Sequence, residues 1–312
     1  MRHSNTARLT EGAVLVALFA VLLLISIYVP VLSLILNIFL VLPFIIYCSK
    51  YPFRASLLMV AASIGVSAIL GSVLAVPVAI AYSTTGLVMG WLIKEKKSKF
   101  IIFISSTLIF LFHVITQYIA SIIFFEINII EEIFTEMERA FTEFFTAAEA
   151  SGLNVSEYES VWTANMNTME LLIPTLLVLS VSFLVWIMIL VNFPIAKRFS
   201  VDVPKFNSFD KLSLPKSVIW YYLIVLIISL VSTPEPGSTF ALMVANLQVA
   251  LELLMILQGL SFIHFFGKLK GWGKARIAIF TIFGIVLSPF TRILGIIDLG
   301  FDLRKRLQNN TK

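Results

Sequence analysis

Most of what a soluble enzyme works with is scarce in this chain. A single cysteine, Cys48, excludes an internal disulfide and a cysteine metal cluster. HExxH, Walker A, GxSxG and paired-cysteine patterns are all absent. The residues therefore offer no catalytic constellation, and no enzyme activity, metal or cofactor is expected. Charge is scarce too, at 13% of 312 residues, where soluble domains carry about 25%. Alternation of apolar and polar residues over about ten positions, the pattern of a membrane β-barrel, is also missing.

What is abundant is apolar. Hydrophobic residues make up 59% of the chain and the mean hydropathy is +0.98. Several apolar runs reach about 18 residues, enough to cross a hydrocarbon core of about 30 Å as a helix. The composition thus specifies an all-α, polytopic helical membrane protein whose first partner is the lipid bilayer. The first run, residues 12–29, is too long for a signal-peptide core, and no small-residue cleavage site follows it. It is read as a retained helix.

The net charge of +5 does not point to nucleic acid, because the basic residues fall in short clusters between apolar runs. These are Arg2 and Arg8, Lys50 and Arg54, Lys94 to Lys99, Lys197 to Lys216, Lys268 to Arg276, and Arg304 to Lys312. Such clusters mark cytoplasmic loops. The pattern places both termini in the cytoplasm of a multi-pass protein of the cell inner (plasma) membrane. It gives about eight full transmembrane helices, at roughly 11–29, 31–48, 55–70, 74–93, 100–125, 170–192, 217–232 and 245–266, with an outer turn at 233–237. A single final span over 276–297 would leave Arg304, Lys305 and Arg306 outside. Ser288-Pro289 falls midway through it, where proline disrupts a helix. A C-terminal bent or re-entrant hairpin is therefore preferred.

Three regions follow: a six-helix membrane core over 1–195, a basic cytoplasmic loop over 196–216, and additional helices with the hairpin and basic tail over 217–312. Within the core, residues 126–168 hold nine glutamates, half of the 18 acidic residues, against the single basic Arg139. Apolar residues at helical spacing from Ile130 to Ala148 make this an acidic amphipathic helix outside the membrane. It serves either as a surface connector or as a cap over a cavity.

Within the apolar runs, polar and small residues single themselves out. Gln248 and Glu252 share one face of the eighth helix with Ala241, Ala245 and Gly259, while Asn246, Gln258 and His264 lie to either side. A carboxylate inside a bilayer marks a function or a buried partner. Arg292 in the hairpin is the basic residue available to pair with Glu252; protonation of Glu252 is the alternative, and Asp298 or Asp302 competes for Arg292. Gln248, Glu252, Arg292 and Asp298 are thus buried polar or gating candidates. His113 and Gln117, one turn apart in the fifth helix, either hydrogen-bond between helices or line a ligand pocket. Small residues recur at Ala13, Ala17 and Ala20, at Ala61, Gly65, Ala68 and Ser72, and at Ala79, Ser83, Gly86 and Gly90. Such stripes allow close helix packing. The first of them could equally face another subunit.

Two stretches carry a resemblance. Residues 9–32, together with 258–266 and the run Gly295-IIDLGFDLRKR ending at Arg306, resemble the YybS-like family of predicted bacterial membrane proteins, whose domain has no assigned function. More distantly, residues 1–195, with six helices and the Ala13–Ala17 AxxxA, are similar to the substrate-binding (S) components of energy-coupling-factor transporters. That second resemblance implies that Ala13, Ala17 and Ala20 dock on a coupling membrane subunit, itself engaged with ATPases. It also implies that an unknown small-molecule ligand binds near the outer ends of helices four to six. The expected function is binding or transport of a small molecule, with a non-transporting membrane scaffold or regulatory protein of the cell envelope as the alternative.

Overall fold

The computed structural model describes residues 5–73, 75–205, 208–232 and 238–309; the turn expected at 233–237, Arg2 and the last three residues of the basic tail lie outside them. Among the described residues the regular structure is helical throughout, in the order α1 (Asn5–Tyr28), α2 (Pro30–Phe39), α3 (Leu42–Lys50), α4 (Phe53–Leu70), α5 (Ala75–Lys94), α6 (Lys99–Phe125), α7 (Ile129–Ala150), α8 (Ser156–Leu171), α9 (Ile173–Arg198), α10 (Ser217–Val231), α11 (Thr239–Leu269), α12 (Lys274–Val286), α13 (Ser288–Phe301) and α14 (Leu303–Asn309). Among the described residues seven spans are long and apolar enough to cross a membrane, α2 and α3 counting together, and the number is eight if the bent pair α12–α13 is one span. The expected seventh span, α10, has only 15 residues, about 22 Å of helix.

The contacts divide the chain into two compact units, one of residues 1–155 and 178–206 and the other of residues 156–177 and 207–312. Capping side chains start several helices. Ser98 accepts from the Ile101 N–H at 3.3 Å, and Ser238 accepts from the Ala241 N–H at 3.2 Å. Asn128 caps α7, accepting from Glu131 N at 3.3 Å and donating to its carboxylate at 3.1 Å. The acidic segment is two helices, α7 and α8, where one was expected; Gly152, with φ 85°, ends α7 in a left-handed turn.

In the first unit α5 is the central helix. Ala79 and Ser83 are fully buried, and Gly86 and Gly90 let α3 approach closely. A Cβ at Gly86 would lie 2.7 Å from both the Phe44 Cβ and the Val41 carbonyl oxygen, and one at Gly90 would lie 2.8 Å from the Cys48 Cβ. That stripe is therefore internal packing. The expected second helix is broken at Leu40-Val41, because Pro43 has no N–H to give the Phe39 carbonyl and its ring crowds that position. The Ala61, Gly65, Ala68 and Ser72 stripe of α4 faces outward, with nothing within 4 Å of a Cβ at Gly65. The packed face of α4 is instead Ser56, Met59, Val60, Ser63 and Ser67. Their serine hydroxyls turn back onto the helix's own carbonyls, so they pack as small residues. At the basic end of α1, Glu11 accepts from Lys50 at 2.7 Å and from the Tyr51 hydroxyl at 2.6 Å.

The second unit is built on α11. Along it, α12 runs antiparallel: the Thr281 hydroxyl meets His264 at 2.9 Å, and Gly284 lies against Ile263 and Leu260. The chain then bends by 106° at Leu287. From there α13 crosses α11 in the parallel sense, with Arg292 beside Glu252, Gly295 against Met255 and Asp298 beside Gln258. Its C-terminal end thus returns to the end of α11 from which α12 departed, which makes the pair a bent hairpin. At the crossing the backbones touch. A Cβ at Gly295 would sit 2.0 Å from the Met255 oxygen, and one at Gly259 would sit 2.0 Å from the Thr291 oxygen.

Candidate functional site

The crossing of α11 and α13 holds polar groups above and below the two glycines. At membrane depth Arg292 Nη1 lies 2.5 Å from Glu252 Oε1, and Gln248 Nε2 donates to the same oxygen at 3.2 Å. Glu252 is 13 residues from the start of α11 and 17 from its end, which by helical rise is near mid-span. Buried Tyr222 of α10 lies within electrostatic reach of both charges. The pair is only partly covered, its side chains being 24% exposed for Glu252 and 30% for Arg292. Glu252 Oε1 takes both bonds. A partly exposed carboxylate and guanidinium together are chemistry able to meet a further polar group.

Asp298 and Asp302 are not partners of Arg292; both are engaged closer to the basic clusters around Lys268 and Arg304. Asp298, buried, accepts from Arg304 Nε at 2.9 Å and from Gln258 Nε2 at 2.6 Å, and Gln258 in turn accepts from the Leu214 N–H at 2.9 Å. Arg304 donates further to the Asp210 carbonyl at 2.7 Å and to Ser261 at 3.0 Å. Ser261 donates to the carbonyls of Phe209 and Leu212, each at 2.7 Å. The left-handed Asp302, with φ 51°, ends α13 and turns Arg304 back across Asp298. Lys216 holds the Asp302 carboxylate at 2.5 Å and keeps it below its usual pKa. Lys268 and Ser208 both bond Asp210. Partial burial pushes the Asp210 carboxyl up, and these hydrogen bonds outweigh it, leaving the pKa lowered from 3.8. The whole clasp pins loop 208–216 and the C-terminal segment to α11.

Asn246, Gln258 and His264, which by helical spacing lie to either side of the Gln248–Glu252 face, are each a tertiary anchor. Asn246 accepts from the Thr175 N–H at 3.0 Å and donates to the Leu171 carbonyl at 2.8 Å. A helical wheel places these side chains correctly but cannot show what lies opposite them. One signal was available: Gln258, Gly259, Ser261, Gly295, Asp298 and Arg304 all lie in the two C-terminal stretches that carried the family resemblance.

In the first unit His113 Nε2 meets the Thr84 hydroxyl at 2.8 Å, and Gln117 donates to the Pro77 carbonyl at 3.4 Å. Both are thus used in bonds between α5 and α6. Ala13, Ala17 and Ala20 line an open apolar groove of about 730 Å³ between α1 and α4, with Arg8 and Tyr47 at one end and Leu24 and Leu70 toward the other. Ala13 and Ala17 are exposed along it. Among the described residues no group of three His, Cys, Asp or Glu side chains is placed to hold a metal.

A helical, multi-pass membrane protein with a bent C-terminal hairpin is the class these features define. The chain belongs to the predicted membrane protein family DUF2232, whose model matches residues 17–299. It is 33% identical over 310 residues, 97% of this chain and 99% of the other, to a protein of Bacillus subtilis (strain 168) named uncharacterized protein YybS. No solved structure matches it.

Proposed function

We propose that this protein binds a small polar molecule within the cell inner membrane and moves it across, with Glu252 and Arg292 as the charges that gate or receive it. The observation that carries this reading is the partly exposed Glu252–Arg292 pair near mid-span. An ion pair at that depth is costly wherever lipid touches it, and such groups mark solute or ion pathways. Gln248 adds a polar group to the pair, and the bent hairpin bearing Arg292 is a discontinuous element of the kind that forms intramembrane binding sites. The basic clusters support a cytoplasmic N-terminus. The exposed small-residue groove along α1 supports docking of a coupling membrane subunit and its ATPases, in the manner of an S component. The protein then acts as a binder and carrier, not as an enzyme.

The test combines two variants with a ligand screen. Glu252→Ala should lower folded yield more than Glu252→Gln, because glutamine keeps a hydrogen-bonding group beside Arg292 and Gln248. A polar solute that raises the melting temperature of the wild type should lose that effect in Glu252→Gln. Wild-type yield for both variants, with no solute from a broad panel stabilising the protein, would remove the proposal. A second reading, a membrane scaffold without a transported substrate, is favoured by the engagement of His113 and Gln117 in bonds between helices. Co-purification separates the two. ATPases and a coupling subunit that are lost from Ala17→Leu support transport, and envelope or signalling proteins in their place support the scaffold.

A further inference from the structure

Small residues on neighbouring membrane helices ordinarily draw the backbones together. On α1 and α4 some of them face an open groove instead. Ala13 and Ala17 of α1 and Ala62 of α4 are exposed, and all three line the groove of about 730 Å³. Side chains close it near both ends. A Cβ at Gly71, just past α4, would lie 3.1 Å from Ile27 Cδ1, and one at Gly12 would lie 3.2 Å from the Tyr47 ring. Among the lining residues Ala20, Ala55 and Met59 are buried while Val21 and Leu58 stand exposed, which is the profile of a trough. From Leu9 to Leu24 it follows α1 for about 22 Å. That exceeds the depth of one leaflet, half of a hydrocarbon core of about 30 Å.

The groove is apolar along its length and charged at one end. Arg8 is the charged residue of its lining, and beside it the Tyr47 hydroxyl is already turned to the Arg8 carbonyl at 3.5 Å. The carboxylate one turn on is taken: Glu11 accepts from Lys50 at 2.7 Å and from the Tyr51 hydroxyl at 2.6 Å. Among the described residues the half-buried Arg8 guanidinium has no hydrogen bond or ion pair, although Tyr47 and Tyr51 lie within its electrostatic reach. Exposed Arg54, one residue before Ala55 in the groove wall, is likewise without an ion pair among the described residues. At this end of α1, α3 and α4, Arg8, Lys50 and Arg54 thus face the one carboxylate of Glu11. An apolar trough ending at an unpaired guanidinium matches a molecule with a long hydrocarbon part and an anionic head.

We propose that the α1–α4 groove holds one anionic glycerophospholipid, an acyl chain lying along Ala13, Ala17 and Ala62 and the phosphate meeting Arg8. A guanidinium offers a phosphate two parallel hydrogen bonds, and basic pockets between transmembrane helices select anionic headgroups in this way. On the topology proposed above, this end of the groove opens to the cytoplasmic leaflet, where anionic lipids give the surface its negative potential. The site lies wholly within the first unit and stands or falls independently of the Glu252–Arg292 reading. A subunit docking on the α1 stripe would displace the lipid, so the two exclude each other on this face.

The experiment uses the full chain purified in a mild detergent. Mixed micelles with increasing phosphatidylglycerol or phosphatidylcholine are titrated while melting temperature is followed, and native mass spectrometry counts the lipids each chain retains. Glycerol 3-phosphate serves as the headgroup without its chains. The expected result is a saturable rise with phosphatidylglycerol, one retained per chain, a clearly weaker response to phosphatidylcholine and none to glycerol 3-phosphate. Arg8→Gln should weaken the phosphatidylglycerol affinity by about tenfold, the loss of one charge-assisted contact, and leave phosphatidylcholine unchanged. Ala62→Leu fills the groove from α4 with the α1 stripe intact and should abolish retention of both lipids. Should Ala62→Leu fail to fold, Arg8→Gln carries the comparison. Equal affinity for the two lipids overturns the proposal and leaves an ordinary lipid-facing surface. Retention undiminished in the folded variants overturns it as well. A rise reproduced by glycerol 3-phosphate assigns Arg8 to a soluble phosphate compound instead, and a lipid-free dimer gives the groove to a second copy of the chain; either result overturns the lipid assignment.

Discussion

Replacing Gly295 with alanine tests how closely α13 must lie on α11. The added Cβ would fall 2.0 Å from the Met255 carbonyl oxygen and 3.0 Å from the Gly259 nitrogen. Both are backbone atoms of a long helix, so no side-chain rotation relieves the clash. To reach 3.0 Å from the oxygen the two backbones must part by at least about 1 Å, given van der Waals packing at protein density. Overpacking of this kind costs about 1–3 kcal/mol. Here the separation also strains the 2.5 Å Arg292–Glu252 contact on one side of the crossing and the 2.6 Å Gln258–Asp298 bond on the other. A total of about 3 kcal/mol or more is expected, which for a unit of this size lowers the melting temperature by on the order of 10 °C. Thermal unfolding of the purified protein, followed by tryptophan fluorescence, measures it. Gly65→Ala is the matched control: its Cβ meets nothing within 4 Å, and alanine is the better helix former. A Gly295→Ala protein that melts with the wild type would refute the close crossing.

The clasp beneath the crossing gives further expectations. Arg304→Gln and Asp298→Asn should each destabilise the protein by about 3–5 kcal/mol, because each strands a buried charge. The double variant should cost less than the sum, and strict additivity in chemical denaturation would show that the two do not interact. Asp210 has a folded pKa lowered from 3.8, so the folded state takes up its proton less readily than the unfolded state does. Its contribution is fully present above the ordinary carboxylate range and is lost as pH falls below 3.8 through the folded value. Asp210→Asn should therefore flatten the fall in melting temperature between about pH 5 and pH 3; an unchanged slope would count against the Lys268–Asp210 contact.

Much of the fold can be read from the residues, and the reason differs from element to element. Spans α1, α4, α5, α6, α9 and α11 follow from apolar length, since a backbone in hydrocarbon must satisfy its own hydrogen bonds as helix. Pro289 and the basic run at Arg304 together call for a bent hairpin, and the chain bends beside that proline, at Leu287. Pro43, by contrast, lies inside an apolar run long enough for one span, and the break it causes is easily passed over. The small stripe on α5 packs against α3 and the one on α4 faces outward, although the two have the same spacing. Spacing defines a face of a helix and says nothing about what lies opposite.

The functional residues divide along the same line. That Gln248 and Glu252 share one helical face is a property of 3.6 residues per turn, and the chain order alone determines it. Which basic residue meets Glu252 is not local, because Arg292 arrives from 40 residues away on a hairpin that must bend first. The same holds for Asp298, claimed by Arg304 and Gln258, and for Asp302, held by Lys216. The sequence by itself determined a helical membrane protein, its apolar spans, its charge asymmetry and the helical faces of its polar groups, since each depends on neighbours a turn or less away. Only the tertiary structure decided the partners, because a buried charge or hydroxyl is satisfied by whatever group packing brings within about 3 Å, and packing is set by glycine contacts and a helix bend far apart in the chain.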